Sequence, residues 1–514
     1  MIAVRFDLAE LSDRVAHTTR AMSDDEVVRR LWSRDHTVFG PDPAEVADRM
    51  GWLDAAEDSL DVWPALRASA ERIAGMADHV VLMGMGGSSL FPEVLATTFG
   101  SRGDAPTLHV IDSTHPAAIA RLADACPPDR TFHIAASKSG STVETRSQLA
   151  FFWERCQDPS RFGVITDPGS ALGDDARAAG YAEVWENDPD IGGRFAALSL
   201  FGMVPAALID ADGEALGTSA LDMADALEPL GEEDVGNVGL ELGAAIAQAA
   251  LSGRDKLTFF IDERIASFGA WVEQLIAEST GKAGKGIVPV VGESPEVAVA
   301  HPEDRFVVVI GSPADGAEAE RIDAPRISMP IETETDLGAL VLLWEFATAV
   351  AGRVLGINPF DQPDVESAKV AARGFLSGEA PQVPADVSAA DLLGAVQPRH
   401  HLALTAFVDP GGEAAAEMSA IRDRLGRELG VATTLGIGPR FLHSTGQLHK
   451  GGPGDIVVVQ VLEEPSSDLP IPGQPFTFAQ LFRAQADGDL AALTAAGRRA
   501  GRVALSDLRR ASGG

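Results

Sequence analysis

The sequence predicts an α/β fold, with parallel sheets flanked by helices in two consecutive domains and a C-terminal α/β extension. Three observations predict it. Residues 130–154, RTFHIAASKSGSTVETRSQLAFFWE, read as a short apolar strand, a hydroxyl-rich loop and a helix. Residues 78–92, DHVVLMGMGGSSLFP, repeat that unit with a glycine-rich loop. Short apolar strands then alternate with helical patterns towards the C terminus, as in parallel sheets with right-handed crossovers. Ligands in such sheets bind beyond the carboxyl ends of the strands, where both loops fall.

The chain has 514 residues, enough for two to four domains. With 45% hydrophobic and 23% charged residues it has the composition of a globular protein with a sizeable core. Its 76 acidic and 41 basic residues leave a net charge of −35, which argues against nucleic acid as a partner. Any phosphate site must therefore rely on local donors working against the overall field. Cys126 and Cys156 are too few for a disulfide framework and fit a reducing compartment. No apolar run reaches the roughly 18 residues of a membrane span, and MIAVRFDLAE has no signal pattern. A cytoplasmic protein without a membrane partner is expected.

Residues 1–77 read as a helical lead-in, with Asp24-Asp25-Glu26 opening a helix after Ser23. A first domain spans 78–235. Its strands are Val80–Met83, Thr107–Asp112, Thr131–Ala136 and Gly163–Thr166, and 206–235 form an acidic, irregular connection. Gly84, Gly86 and Gly87 let the backbone turn tightly, and Ser88 and Ser89 cap the next helix. Ser137, Ser139, Ser141 and Thr142, with Lys138, precede a helix N-terminus. A helix start has free N–H groups and the positive end of the dipole, so this loop suits an anion, most simply a phosphate. Arg194 follows two glycines and leads into an apolar helix, a poor place for a cation unless it meets an anion.

A second domain spans 236–380. It contains a helix from Asn237, the strands Lys256–Ile261 and Arg305–Ile310, and an apolar helix Thr335–Leu355. On another helix Gln274 and Glu278 stand four apart, hence on one face. Glu278 is either a carboxylate raised in pKa by its place in the last turn or a solvated partner of Lys282. A bend at 357–363 leads to a short helix ending at Lys369. The C-terminal region, 381–514, has strands at Leu402–Val408, Val431–Leu435 and Ile456–Val461 and a helix at Phe476–Ala496. Between them lies the loop GPRFLHSTGQLHKGG, residues 438–452.

Five motifs in one order resemble phosphoglucose isomerases built from two sugar-isomerase (SIS) domains. They are GMGGSSL at 84–90, SKSGSTVET at 137–145, GGRF at 192–195, QLIAESTGK at 274–282 and NPFDQPDVESAK at 358–369. The C-terminal region resembles the isomerase half of transaldolase–phosphoglucose isomerase fusion proteins, without a transaldolase part. The resemblance implies aldose–ketose isomerisation of glucose 6-phosphate and fructose 6-phosphate, a step of glycolysis and gluconeogenesis, with no metal or organic cofactor. It implies a sugar-phosphate cradle on Gly87, Ser88, Ser137, Lys138, Ser139, Ser141 and Thr142, with Gln274 contacting substrate. Arg194 would steady the enediolate, Glu278 would carry the proton and Lys369 would lie near the sugar ring. The family's ring-opening histidine ordinarily falls between the glutamate and the lysine. The one histidine there, His301, lacks its motif, whereas FLHSTGQ at 441–447 has it, so His443 is the candidate, with His449 and His301 as competitors. A small sugar phosphate is the expected partner, and a homodimer is possible within this resemblance. Alternatives are other or dual specificity, including mannose 6-phosphate, or a non-catalytic sugar-phosphate-binding protein.

Overall fold

A computed structural model describes residues 2–229, 234, 236–377 and 386–513. The domain boundaries expected at 235 and 380 lie outside the described residues. The strands, in chain order, are β1 (Arg5–Asp7), then β2 (His79–Met83), β3 (Thr107–Ile111), β4 (Thr131–Ala136), β5 (Phe162–Thr166) and β6 (Glu183–Glu186). Next come β7 (Lys256–Ile261), β8 (Val288–Val291), β9 (Arg305–Ile310) and β10 (Arg326–Met329). The last group is β11 (His401–Phe407), β12 (Ala432–Ile437), β13 (Ile456–Leu462) and β14 (Arg499–Arg502).

They form three sheets: β3-β2-β4-β5-β6, β1-β10-β9-β7-β8 and β12-β11-β13-β14. All pairings are parallel except β1 with β10. The α/β class and the two main helix-flanked parallel sheets match the sequence reading. In the first sheet the chain leaves β2 for β3 on one side and returns to β4 on the other. The order therefore reverses between β2 and β4, the place where the carboxyl edge of such a sheet opens a crevice. Helix Leu90–Phe99, after β2, and helix Val143–Cys156, after β4, belong to separate apolar cores and cover opposite faces of the sheet.

Several expectations are corrected. The N-terminal stretch is not only helical, because Arg5–Asp7 forms an antiparallel edge of the second sheet. Asp24 ends helix Ser12–Asp24 rather than opening one, and the next helix starts at Val27. The stretch read as irregular connection holds the end of helix Leu200–Leu208 and all of helix Gly213–Leu227, whose Leu216, Ala220, Met223 and Leu227 enter the main core at helical spacing. Helix Val365–Ser377 continues two turns past Lys369. Segment Glu334–Leu355 is long and apolar enough for a membrane span, but 89% of its apolar window is buried within the protein. Both cysteines are free thiols.

That buried helix, Leu337–Leu355, carries Glu345, fully buried with no partner for either carboxylate oxygen among the described residues. Burial alone pushes its carboxyl well above the usual range. The unfolded chain ionises this group near its ordinary value while the folded chain holds the proton, so its contribution to stability falls as pH rises through that value. Glu345→Leu should raise Tm by several degrees at pH 7.5 and much less at pH 4. Thermal unfolding followed by circular dichroism checks this; an equal gain at both pH values would refute the assignment.

Candidate functional site

The carboxyl ends of the first and third sheets face each other. Just beyond β3, Thr114 Oγ1 donates to Gln485 Oε1 at 2.6 Å. On the helix that follows β3, Arg121 holds Asp409, just beyond β11, through two bonds of 2.6 and 2.7 Å. Helix Phe478–Ala495 packs Phe478 and Leu481 into the core beneath helix Val143–Cys156. A cavity of about 640 Å³ opens at this junction.

The hydroxyl-rich loop forms one wall. Ser137 and Thr142 hydroxyls lie 3.0 Å apart, and those of Ser139 and Ser141 2.9 Å apart. Thr142, at the N-cap of helix Val143–Cys156, makes no side-chain cap bond, so the helix start opens beside the exposed hydroxyls of Ser139 and Ser141. Lys138 does not join them. Its ammonium donates to Asp167 Oδ2 at 2.6 Å and to the Pro189 carbonyl at 2.7 Å, and it is absent from the cavity lining.

Glu144, one residue into that helix, is buried beneath the loop. His443 Nε2 lies 2.9 Å from its Oε1, and Gln485 Nε2 donates to the same oxygen at 2.7 Å. Burial works against the carboxylate charge, but the nearby His443 and the hydrogen bond to it prevail, holding Glu144 below its ordinary range. His443 ends the short turn Arg440–His443, which leaves the carboxyl end of β12. Arg440 pins this turn to the first sheet, pairing with Glu93 at 2.7 Å and Asp112 at 2.6 Å. Burial disfavours its charge, yet Asp112 and Glu93 outweigh that and hold the guanidinium above its ordinary value.

On the other side of His443 lies the second group of residues. Gln274 Nε2 donates to the His443 carbonyl at 2.7 Å and to Glu278 Oε2 at 3.0 Å. Glu278 Oε1 is 3.6 Å from Arg194 Nη1. Arg194 is buried and also donates to Ser279 Oγ (2.8 Å), Gln362 Oε1 (2.8 Å) and the carbonyls of Pro359 (2.6 Å) and Asp361 (3.0 Å). Burial pulls its proton affinity down, with Glu278 and Asp361 opposing. Lys282 does not pair with Glu278; it donates to Asp361 at 2.6 Å.

The glycines of the first loop seat these groups. A Cβ on Gly86, whose φ is +57°, would come within 2.7 Å of the His443 carbonyl and 2.9 Å of Gln274 Nε2. On Gly87 it would fall 1.9 Å from the Gly193 carbonyl, displacing the Arg194 turn. Gly87 and Ser88 are buried and lie outside the cavity wall.

The cavity lining thus includes Ser139, Ser141, Thr142, Lys369 and His443 from the sequence reading. Lys369 is exposed, without a hydrogen bond or ion pair among the described residues, and its charge helps hold Glu144 ionised. Arg194, Gln274 and Glu278 lie behind His443, while Ser137, Lys138, Gly87 and Ser88 support the loops. Of the competing histidines, His449 is buried and burial pushes it down to about 3, whereas His301 is exposed over Gly430. Sequence reasoning missed Glu144 as a partner, and also Gln485, Arg440 and Gln362. An acid in the first turn of the helix, two residues past the last of four hydroxyls, was the available signal for Glu144.

No family model matches the chain. It is 28% identical over 372 residues to a glucose-6-phosphate isomerase of Rubrobacter xylanophilus, covering 61% of this chain and 84% of the relative. It is 29% identical over 393 residues to one of Thermus thermophilus, covering 65% and 92%. Among solved structures, a hypothetical protein from Thermus thermophilus superposes with a TM-score of 0.62 at 26% identity, over 73% of this chain and all of that one. A glucose-6-phosphate isomerase from Chlamydia trachomatis gives 0.59 at 19% identity over 73% and 88%, a likeness of fold. Together these likenesses relate the chain, distantly, to the SIS-domain phosphosugar isomerases.

Two predictions test this geometry. Ser139→Ala with Thr142→Ala should weaken sugar-phosphate binding about tenfold or more, since hydrogen bonds to a charged ligand are lost. Calorimetric titration with a sugar-phosphate analogue reads this, and unchanged affinity would remove the loop from the binding site. Arg440→Met should leave the fold intact but release the His443 turn, lowering sugar-phosphate isomerisation about 10²-fold by misplacement. An active Arg440→Met enzyme would show that the turn is held by other contacts.

Proposed function

We propose that this protein is an aldose–ketose isomerase interconverting glucose 6-phosphate and fructose 6-phosphate. The observation that carries the reading is the junction at Gly86. There Gln274 ties the His443 turn to Glu278, with Glu144 behind the imidazole and Arg194 behind the carboxylate. This sets an imidazole–carboxylate pair, His443 and Glu144, on the wall of a hydroxyl-lined cavity, with the Glu278–Arg194 pair behind the His443 turn. The curated relatives named as glucose-6-phosphate isomerases support the substrate.

In this reading the Ser139, Ser141 and Thr142 hydroxyls and the helix start hold the phosphate. His443, oriented by Glu144, takes and returns the ring-hydroxyl proton, and an imidazole suits that exchange near neutral pH. Lys369 stands beside the ring. In the open-chain sugar, Glu278 removes a proton from C2 of the aldose and delivers it to C1 through a cis-enediolate. Arg194 stabilises the charge that develops on oxygen. Its four other hydrogen bonds fix it in place, so little reorganisation accompanies that step.

A coupled dehydrogenase assay on fructose 6-phosphate tests the activity, and product analysis with mannose 6-phosphate tests the substrate range. Glu278→Gln should lower kcat by about 10² or more and suppress exchange of the C2 proton with solvent to match. His443→Ala should slow turnover of cyclic glucose 6-phosphate sharply while sparing Glu278-dependent exchange in the open chain. Equal losses of both activities in His443→Ala would refute the separate roles.

A further inference from the structure

The first sheet carries a second group of chemistry-bearing side chains. His79 opens β2, and His109 is the third residue of β3. Thr107 pairs with His79, and residues two apart on a strand share a face, so both imidazoles project from the same face. Helix Pro116–Ala125 packs on that face and ends at Cys126 as its C-cap. Cys126 is 2% exposed and both histidines are half-buried.

His79 Nδ1 lies 3.2 Å from His109 Nε2. One donor atom from each of the three residues falls within 4.8 Å of the others. With zinc–nitrogen bonds of about 2.0–2.1 Å, two nitrogens on a tetrahedron stand about 3.3–3.4 Å apart. One edge of such a tetrahedron is therefore nearly formed, and a move of the sulfur of up to about 1 Å closes a third corner. Two imidazoles and a thiolate are a donor set for a borderline-soft divalent ion, not for magnesium or calcium.

We propose that His79, His109 and Cys126 form a zinc site, with the fourth position open to water. As the zinc–sulfur bond forms, the thiol releases its proton to solvent and both imidazoles bind as neutral bases. The site lies towards the amino end of β2, whereas the Gly84–Ser88 loop lies at the carboxyl end. It ties together β2, β3 and the helix that leads on to β4. The ion is a clamp on the sheet and takes no part in the sugar chemistry. Because the folded chain binds it and the unfolded chain does not offer the same cage, zinc stabilises the fold.

The alternative is an imidazole–imidazole hydrogen bond with a bystander thiol. The full chain, reduced and stripped with chelator, is titrated with cobalt(II). The expected result is one equivalent bound, with tetrahedral visible bands and a near-ultraviolet thiolate-to-cobalt band that zinc abolishes. Zinc should also raise Tm. Cys126→Ser should lose the near-ultraviolet band, and both it and His109→Gln should weaken zinc binding about tenfold or more. Far-ultraviolet circular dichroism monitors folding; if Cys126→Ser does not fold, His79→Gln at the strand start gives the same zinc-affinity comparison. The absence of a tetrahedral cobalt spectrum, or one unchanged by these substitutions, overturns the proposal. None of these readouts depends on sugar-phosphate turnover.

Discussion

The site depends on one contact, the double ion pair of Arg440 with Glu93 and Asp112. Arg440 begins the turn that carries His443, while Glu93 and Asp112 belong to the carboxyl side of the first sheet. Without that pairing, the carboxyl end of β12 would have no charged anchor above β2 and β3. With it, His443 reaches Glu144, its carbonyl accepts from Gln274, and Gly86 leaves room for both. A half-buried guanidinium between two carboxylates is costly to break, because the carboxylates would then remain uncompensated. The docking of the third sheet on the first is thus an electrostatic constraint as well as an apolar one. The apolar part comes from Phe478 and Leu481 beneath helix Val143–Cys156.

A chain with a net charge of −35 can offer an anion site only where its acids are neutralised locally. The acids near the cavity meet this condition. On the wall, Glu144 is held by His443 and Gln485 and Glu366 pairs with Arg373, and farther off Asp167 is occupied by Lys138 and Asp361 by Lys282. Lys138 thus cancels the negative charge of Asp167. Lys369 remains as a cation on the cavity wall, beside exposed hydroxyls and a helix start.

Much of this was legible in the sequence because it is local. The strand–loop–helix units, the glycines at 86 and 87 and the i, i+4 spacing of Gln274 and Glu278 are short-range patterns. Each gave an element or contact close to the expected one. Short edge strands were not legible: β1, β6, β8 and β14 have three or four residues each, too few for an alternation to be read. The stretch after Leu208 was misread because its acidic exposed face hid a regular apolar stripe. Long-range pairings were the other loss. His443 and Glu144 are 299 residues apart, and Gln485 and Glu144 are 341 apart. Nothing in the local sequence at Gln485 distinguishes it from any glutamine on a buried helix.

The position of His443 after Lys369 in the chain has a simple physical basis. Groups at a site made by facing carboxyl ends need only lie on loops that leave those ends, and the order in which the chain visits them is free. The third sheet reverses its order between β11 and β13, just as the first does between β2 and β4. Each reversal opens a crevice at the carboxyl edge, and here the two edges are turned towards one another. The β12 turn supplies an imidazole to a carboxylate that follows β4, and the helix after β13 supplies Gln485 to the same carboxylate. The C-terminal sheet is therefore a structural half of the cavity rather than an appendage.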